Sequence, residues 1–220
     1  SRFLSFFGRL DYSILDKYYF DASVRNDACS RFGANNRNAT FWAAGAMWKI
    51  KGEDFLYAVD AVNDLNFKVS YGTQGNASIG DYQHLGLVSE SGKYMDTSTK
   101  FLIRPQSPNL TWENQALFTV GVNGRLFNRF DFNIEFYDRT TTSMLMDVPY
   151  NYTTGVSSLK ENVGSLSNRG IDITLGVDIL QGKDYYLRAS TTFNYNDEKV
   201  TALFNGLDRW EMTGYGLAYV

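Results

Sequence analysis

Apolar and polar side chains alternate along most of this sequence. Between residues 130 and 136 the even positions are apolar, while the odd positions are Asp131, Asn133 and Glu135. Successive side chains of a β-strand point to opposite faces, so a period of two predicts strands with one apolar and one polar face. The pattern predicts eight strands, at residues 6–14, 20–25, 42–50, 65–71, 116–125, 130–136, 171–179 and 185–194.

The segments between these strands are of two kinds. Residues 15–17, 127–129 and 181–183 are short enough for hairpin turns. Acidic residues that precede apolar ones in residues 52–59 predict one or two helical turns on the same side as the short turns. Long segments rich in Gly, Asn, Ser and Thr alternate with the short ones, at residues 27–38, 73–110 and 140–167.

Short turns at one end, long loops at the other and strands with one apolar face are typical of an outer-membrane β-barrel. In such a barrel the apolar side chains face lipid and the polar ones line a wet interior. We therefore predict an antiparallel, all-β transmembrane barrel segment whose outward row includes Phe130, Phe132, Ile134 and Phe136. A soluble β-domain with its apolar face turned inward shows the same alternation and remains the alternative.

The number of strands predicts an incomplete barrel. With eight strands, both chain ends fall on the long-loop side, whereas exported barrels normally start and end on the short-turn side. An open sheet would also leave two unpaired edges in lipid. We therefore expect residues 1–220 to be one partial barrel domain, about eight strands of a larger barrel.

Charge and composition narrow the functional classes. The 220 residues include 21 basic and 24 acidic side chains, for a net charge of −3, so no basic face is available for nucleic acid. The single cysteine, Cys29, and the single histidine, His84, exclude an internal disulfide and a zinc site built from several such residues. His84 has Asp81 nearby but no orienting third group, so we expect no catalytic residue, no metal and no cofactor.

Several sequence blocks occur in an order that resembles SusC-like TonB-dependent transporters of Bacteroidetes outer membranes. The first block is SVRNDACSRFGANNR at residues 23–37, and a later one is PNLTWE at residues 108–113. Further blocks lie at residues 63–82, 136–140 and 154–171. Because the blocks cover almost the whole chain, the resemblance is more specific than a single short motif.

The resemblance implies a multi-pass barrel in the outer membrane that takes up an oligosaccharide or a peptide. It implies a SusD-like lipoprotein as the surface partner and contact with the TonB complex through an N-terminal part, including the plug domain, that this sequence does not contain. The alternative function is that of a soluble, secreted or surface glycan-binding β-domain.

Aromatic residues in the long loops are the candidates for ligand contact, because their rings can stack on sugar rings. Loop packing or an interfacial aromatic girdle would explain them about as well. The predicted ligand-binding residues are Tyr82, Tyr94, Trp112, Tyr150 and Tyr152.

Overall fold

The computed structural model describes residues 1–33, 35–95, 97–151, 153, 155–204, 209–212 and 216–219. Its strands are, in chain order, β1 (Phe3–Ile14), β2 (Tyr18–Cys29), β3 (Asn38–Lys49), β4 (Val62–Asn76), β5 (Leu87–Tyr94), β6 (Thr97–Arg104), β7 (Glu113–Leu126), β8 (Phe130–Thr142), β9 (Leu145–Pro149), β10 (Ser158–Asn162), β11 (Ser165–Gln181), β12 (Tyr186–Ala202), β13 (Arg209–Met212) and β14 (Gly216–Tyr219).

One eight-stranded sheet dominates the fold, in the order β1-β2-β3-β4-β7-β8-β11-β12. Every neighbouring pair is antiparallel, and the eight strands are those that the alternation predicts. The remaining strands pair as three hairpins, β5 with β6, β9 with β10 and β13 with β14. The antiparallel all-β prediction is therefore confirmed.

The short connections fold as predicted, with a small shift at the third. Leu15 and Asp16 both have positive φ, as do Phe127 and Asn128, and type I′ turns require positive φ at both central residues. A 3-10 turn (Ile50–Gly52) and a helix, α1 (Asp54–Tyr57), form the predicted helical insertion. The turn before β12 occupies residues 182–185, slightly later than predicted.

The long connections differ from the prediction, because they contain hairpins and the flanking strands extend into them. Strand β2 continues to Cys29 and β11 begins at Ser165, inside segments predicted as loops. The apolar row ends before the strands do: Asn26 Nδ2 donates to Thr40 Oγ1 at 2.9 Å on the outward face. The backbone ladder continues where the side-chain alternation stops, so the sequence pattern underestimates strand length.

The apolar face of the sheet is uncovered in the part of the chain described. Phe130 is 49% exposed, and Ile134 and Phe136 on the same row are exposed as well. The sandwich core that a soluble β-domain requires is therefore not formed over this row. The buried apolar side chains lie instead at the long-loop end, in the long connections and in residues at the neighbouring strand ends. Among the described residues, no helix is long and apolar enough to cross a membrane.

Candidate functional site

The polar face carries a charge network near the short-turn end. Asp178 is 3% exposed, and its carboxylate accepts hydrogen bonds from Arg125 at 2.5 Å, Tyr186 at 2.5 Å and Arg188 at 3.1 Å. Arg125 and Arg188 also contact Asp131, at 3.2 and 2.7 Å. Two arginines thus balance two aspartates across β7, β8, β11 and β12, as a polar interior wall requires when charges leave bulk water.

An apolar cluster lies at the opposite end of the same face; we call it the mouth cluster. Its buried members are Cys29, Phe32, Phe41, Ile79, Leu110 and Trp112. The Trp112 ring is 5.2 Å from the Phe32 ring and 5.8 Å from the Phe41 ring, measured between centroids. Phe41 is the register partner of Arg25, which belongs to the polar parity of β2. The mouth cluster therefore sits on the inward side, at the long-loop end.

The PNLTWE block joins the first two long connections. Asn36 Nδ2 donates to the carbonyl oxygens of Pro108 and Leu110, both at 3.4 Å. Trp112 Nε1 donates to the carbonyl oxygen of Arg37 at 3.2 Å. Residues 30–33 and 35–37 are therefore held against residues 108–112 by polar contacts as well as by the mouth cluster.

Asn162 attaches the third long connection to this assembly. Its Oδ1 accepts from the Thr111 amide at 2.7 Å, and its Nδ2 donates to the carbonyl oxygens of Thr111 at 2.8 Å and Ser143 at 3.0 Å. Glu113 Oε2 accepts from the Leu145 amide at 3.2 Å. The three long connections thus form one packed unit above the interior of the sheet.

A polar cleft of about 310 Å³ separates residues 106–110 from residues 159–162. Gln106, Asn109 and Glu161 line it, so amide and carboxylate groups can bind hydroxyl or amide groups of a ligand. The Tyr150 hydroxyl donates to Glu161, and this hydrogen bond raises the pKa of Tyr150. Tyr150 therefore lies beside the cleft, partly exposed, with its hydroxyl already engaged.

The other predicted ligand residues are placed differently. Tyr82 is 65% exposed, and its carbonyl oxygen accepts from Arg104 Nη2 at 2.7 Å, near the base of the β5–β6 hairpin. Tyr94 is the last residue of β5. The side chain of Tyr94 and the whole of Tyr152 lie outside the described part of the structure.

Trp112 does not fit the prediction of a ligand-binding residue. It is 3% exposed, and its ring packs against Phe32 and Phe41 inside the mouth cluster. A sugar ring could not stack on it without removal of these neighbours. We therefore correct its role to structural.

Sequence reasoning missed Asp27, which the prediction places in a loop. It is the last charged residue on the inward face of β2 and is 1% exposed, and its Oδ2 lies 2.9 Å from Arg25 Nε. The spacing of two between the aspartate and the arginine is the signal that could have assigned both to one strand face.

The two residues considered for hydrolytic chemistry hold loops together. His84 Nδ1 lies 2.8 Å from the carbonyl oxygen of Arg31, and Asp81 pairs with the Arg31 side chain at 3.3 Å. Among the residues described, no group of three or more His, Cys, Asp or Glu is placed to hold a metal ion.

A single sheet with an uncovered apolar face, paired charges on its other face and short turns at one end defines the wall of an outer-membrane β-barrel. The chain belongs to the TonB dependent receptor-like, beta-barrel family, whose model matches residues 1–220. Membership confirms the predicted resemblance and the outer-membrane location. The alternative of a soluble glycan-binding domain is wrong.

Relatives and solved structures agree with this assignment. The chain is 31% identical to TonB-dependent receptor P39 of Formosa agariphila, over 96% of this chain and 20% of the receptor. It is 33% identical to TonB-dependent receptor SusC of Bacteroides thetaiotaomicron, over 93% of this chain and 21% of the receptor. The RagAB peptide transporter matches with a TM-score of 0.91 and 40% identity, over 99% of this chain and 24% of that chain. The chain thus spans about a fifth to a quarter of these proteins.

Proposed function

We propose that this chain forms part of the barrel wall of an energy-coupled importer that brings peptides or oligosaccharides across the outer membrane. The observation that carries the proposal is the match to the RagAB peptide transporter, which at 40% identity extends over nearly the whole chain. The paired charges of the polar face suit a wall that borders water or a hydrated plug.

Peptides are the substrate class that the comparisons favour. Identity to the RagAB peptide transporter is 40%, against 33% to the receptor SusC. The polar cleft beside Tyr150 offers amide and carboxylate groups, which suit peptide backbone groups as well as sugar hydroxyls. The preference for peptides therefore comes from the relatives, and transport measurements test it.

We further propose that a SusD-like lipoprotein covers the long-loop end and that the whole protein contacts the TonB complex. The resemblance to SusC-like transporters supports both partners. The packed unit of three long connections offers the lipoprotein an ordered surface, because Asn162 and Glu113 tie these connections together.

The test is uptake by the native host. Deletion of the gene for the whole protein should abolish accumulation of fluorescently labelled peptides, and the full-length gene should restore it. A protonophore should stop uptake, since energy coupling requires the proton gradient. Selective loss of oligosaccharide uptake would shift the substrate class to sugars, and unchanged uptake of both would overturn the importer assignment. Purification of the full-length protein under mild conditions should recover a surface lipoprotein with it.

A further inference from the structure

The lipid-facing side of the sheet carries an apolar groove of about 650 Å³ near the short-turn end. Large side chains on β8 and β11 stand beside small ones on β12: Val177 is the register partner of Ala189, and Leu175 that of Thr191. The difference in side-chain height creates the groove. Its apolar lining includes Leu126, Phe127, Phe130, Phe132, Leu175 and Val177.

Phe127 extends this groove beyond the ends of the strands. It occupies a turn position with φ of 53°, where Asn or Gly is usual, and it is largely exposed. Its ring meets the Phe130 ring edge-on, with centroids 6.5 Å apart. Because Phe130 belongs to the lipid-facing row, Phe127 continues that surface rather than projecting into water.

The last residue of the same turn, Arg129, is cationic. Arg129 is exposed, and no ion pair to its guanidinium is present in the described part of the chain. The Asp178 amide donates to the Arg129 carbonyl oxygen at 2.9 Å, which places this turn against the end of β11. Lys183, in the next turn of the sheet, is followed directly by Asp184, so of these two neighbouring turns only the one that contains Arg129 has a net positive charge.

We propose that this groove is a phospholipid site: one acyl chain lies against Phe127, Phe130 and Leu175, and the phosphate binds the Arg129 guanidinium. Short turns mark the periplasmic end of such barrels, so the lipid belongs to the inner leaflet of the outer membrane. The occupant is lipid because the groove is continuous with the surface that already faces hydrocarbon. Arg129 lies in the chain between Phe127 and Phe130, which both line the groove, and its planar guanidinium matches a phosphate group in charge and geometry.

Native mass spectrometry of the delipidated full-length protein, titrated with palmitoyl-oleoyl phosphatidylglycerol, tests this site. Ala189→Trp fills the groove, whereas Ala22→Trp makes the same change on β2, on the lipid-facing side but outside the groove. Packing against the groove wall is lost only in Ala189→Trp, so we expect about fivefold less bound phospholipid there and no change in Ala22→Trp. Arg129→Gln, which leaves the groove intact, should also lower binding about fivefold, since a basic residue near an anionic lipid surface is worth about that factor.

Assembly of each variant is checked by its heat-dependent mobility on gels. Equal phospholipid binding by Ala189→Trp and Ala22→Trp would overturn the groove as a site. Binding that survives Arg129→Gln at full strength would overturn the phosphate contact. If Ala189→Trp fails to assemble, Arg129→Gln decides alone. A groove filled by a second copy of the protein would appear as a dimer that the lipid does not displace, which also overturns the proposal.

Discussion

Arg125 of β7 and Asp178 of β11 are in direct contact, with Nη2 and Oδ2 separated by 2.5 Å, although β8 lies between their strands. Arg125 reaches across Asp131, the β8 residue opposite it, and contacts that carboxylate too. The pair therefore joins two strands that share no backbone hydrogen bonds. This ion pair connects strands that the backbone hydrogen bonds of the sheet do not connect directly.

Asp178→Asn should destabilise the assembled barrel. Asparagine keeps the size of the side chain but removes the charge that balances Arg125 and Arg188, so both guanidinium groups lose a charge-assisted acceptor. We expect the thermal unfolding midpoint of the full-length protein to fall by about 3 °C. Asp147→Asn is the control, because Asp147 is exposed and pairs with Lys160 in the β9–β10 hairpin. Equal midpoints for the two variants would contradict a role of the network in stability.

Trp112→Ala should loosen the mouth cluster and leave the strands below it intact. Removal of a buried tryptophan from a packed core typically costs about 3–5 kcal/mol. Hydrogen exchange should accelerate in residues 35–37 and 108–112, which Trp112 and Asn36 hold together. Trp42→Ala provides the comparison, since Trp42 is exposed on the lipid-facing side. Unchanged exchange in both segments would mean that the cluster does not hold the loops.

Acid should release the helical insertion from the short-turn end. Hydrogen bonds from Tyr18 and Trp48, and then from Lys17, hold the pKa of Glu53 below its ordinary value of 4.5. Because the folded-state pKa is depressed, the stabilisation is complete above pH 4.5 and is lost as pH falls through the lowered pKa. Trp48 Nε1 lies 3.1 Å from Glu53, so its fluorescence reports the change.

The acid transition is isolated by comparison of variants. Glu53→Gln should remove the pH dependence of the fluorescence signal, and Trp48→Phe should remove the signal itself. A transition that persists at the same pH in Glu53→Gln would assign it to another group.

Deletion of residues 89–99 in the whole transporter should leave the barrel assembled and weaken nutrient uptake. These residues belong to the β5–β6 hairpin, which pairs with itself and not with the eight-stranded sheet. The ladder of the sheet does not depend on them, and loops tolerate change better than the strands they join. Outer-membrane abundance and uptake per molecule are the two measurements. Lost assembly with normal uptake per surviving molecule would make the hairpin a folding element.

The alternation of side chains was sufficient to predict the sheet, because each strand contributes its own local signal. Phe130, Ile134 and Phe136 lie on the exposed apolar face, as predicted. The pattern could not show where the strands end, since Asn26 on β2 and Arg169 on β11 are polar residues on the outward face of continuing strands. The side-chain pattern indicates where a strand faces lipid, and the strands continue beyond the part that faces lipid.

The loop aromatics show the limit of sequence reasoning most clearly. Trp112 and Tyr150 both lie in segments rich in polar residues, yet Trp112 is buried and Tyr150 is partly exposed. The hydrogen bond that fixes Trp112 joins it to Arg37, 75 residues away along the chain. The sequence around Trp112 does not predict that contact. The burial of Trp112 results from the packing of connections that are distant along the chain.

The charge network of the polar face also selects how the strands align. A slide of β11 by two residues would keep its apolar side chains in lipid, so the bilayer cannot distinguish that alignment from the native one. The same slide would carry Asp178 about 7 Å along the sheet, out of reach of both Arg125 and Arg188. The four charged side chains Arg125, Asp131, Asp178 and Arg188 therefore favour one strand register among several that would all keep the apolar side chains in lipid.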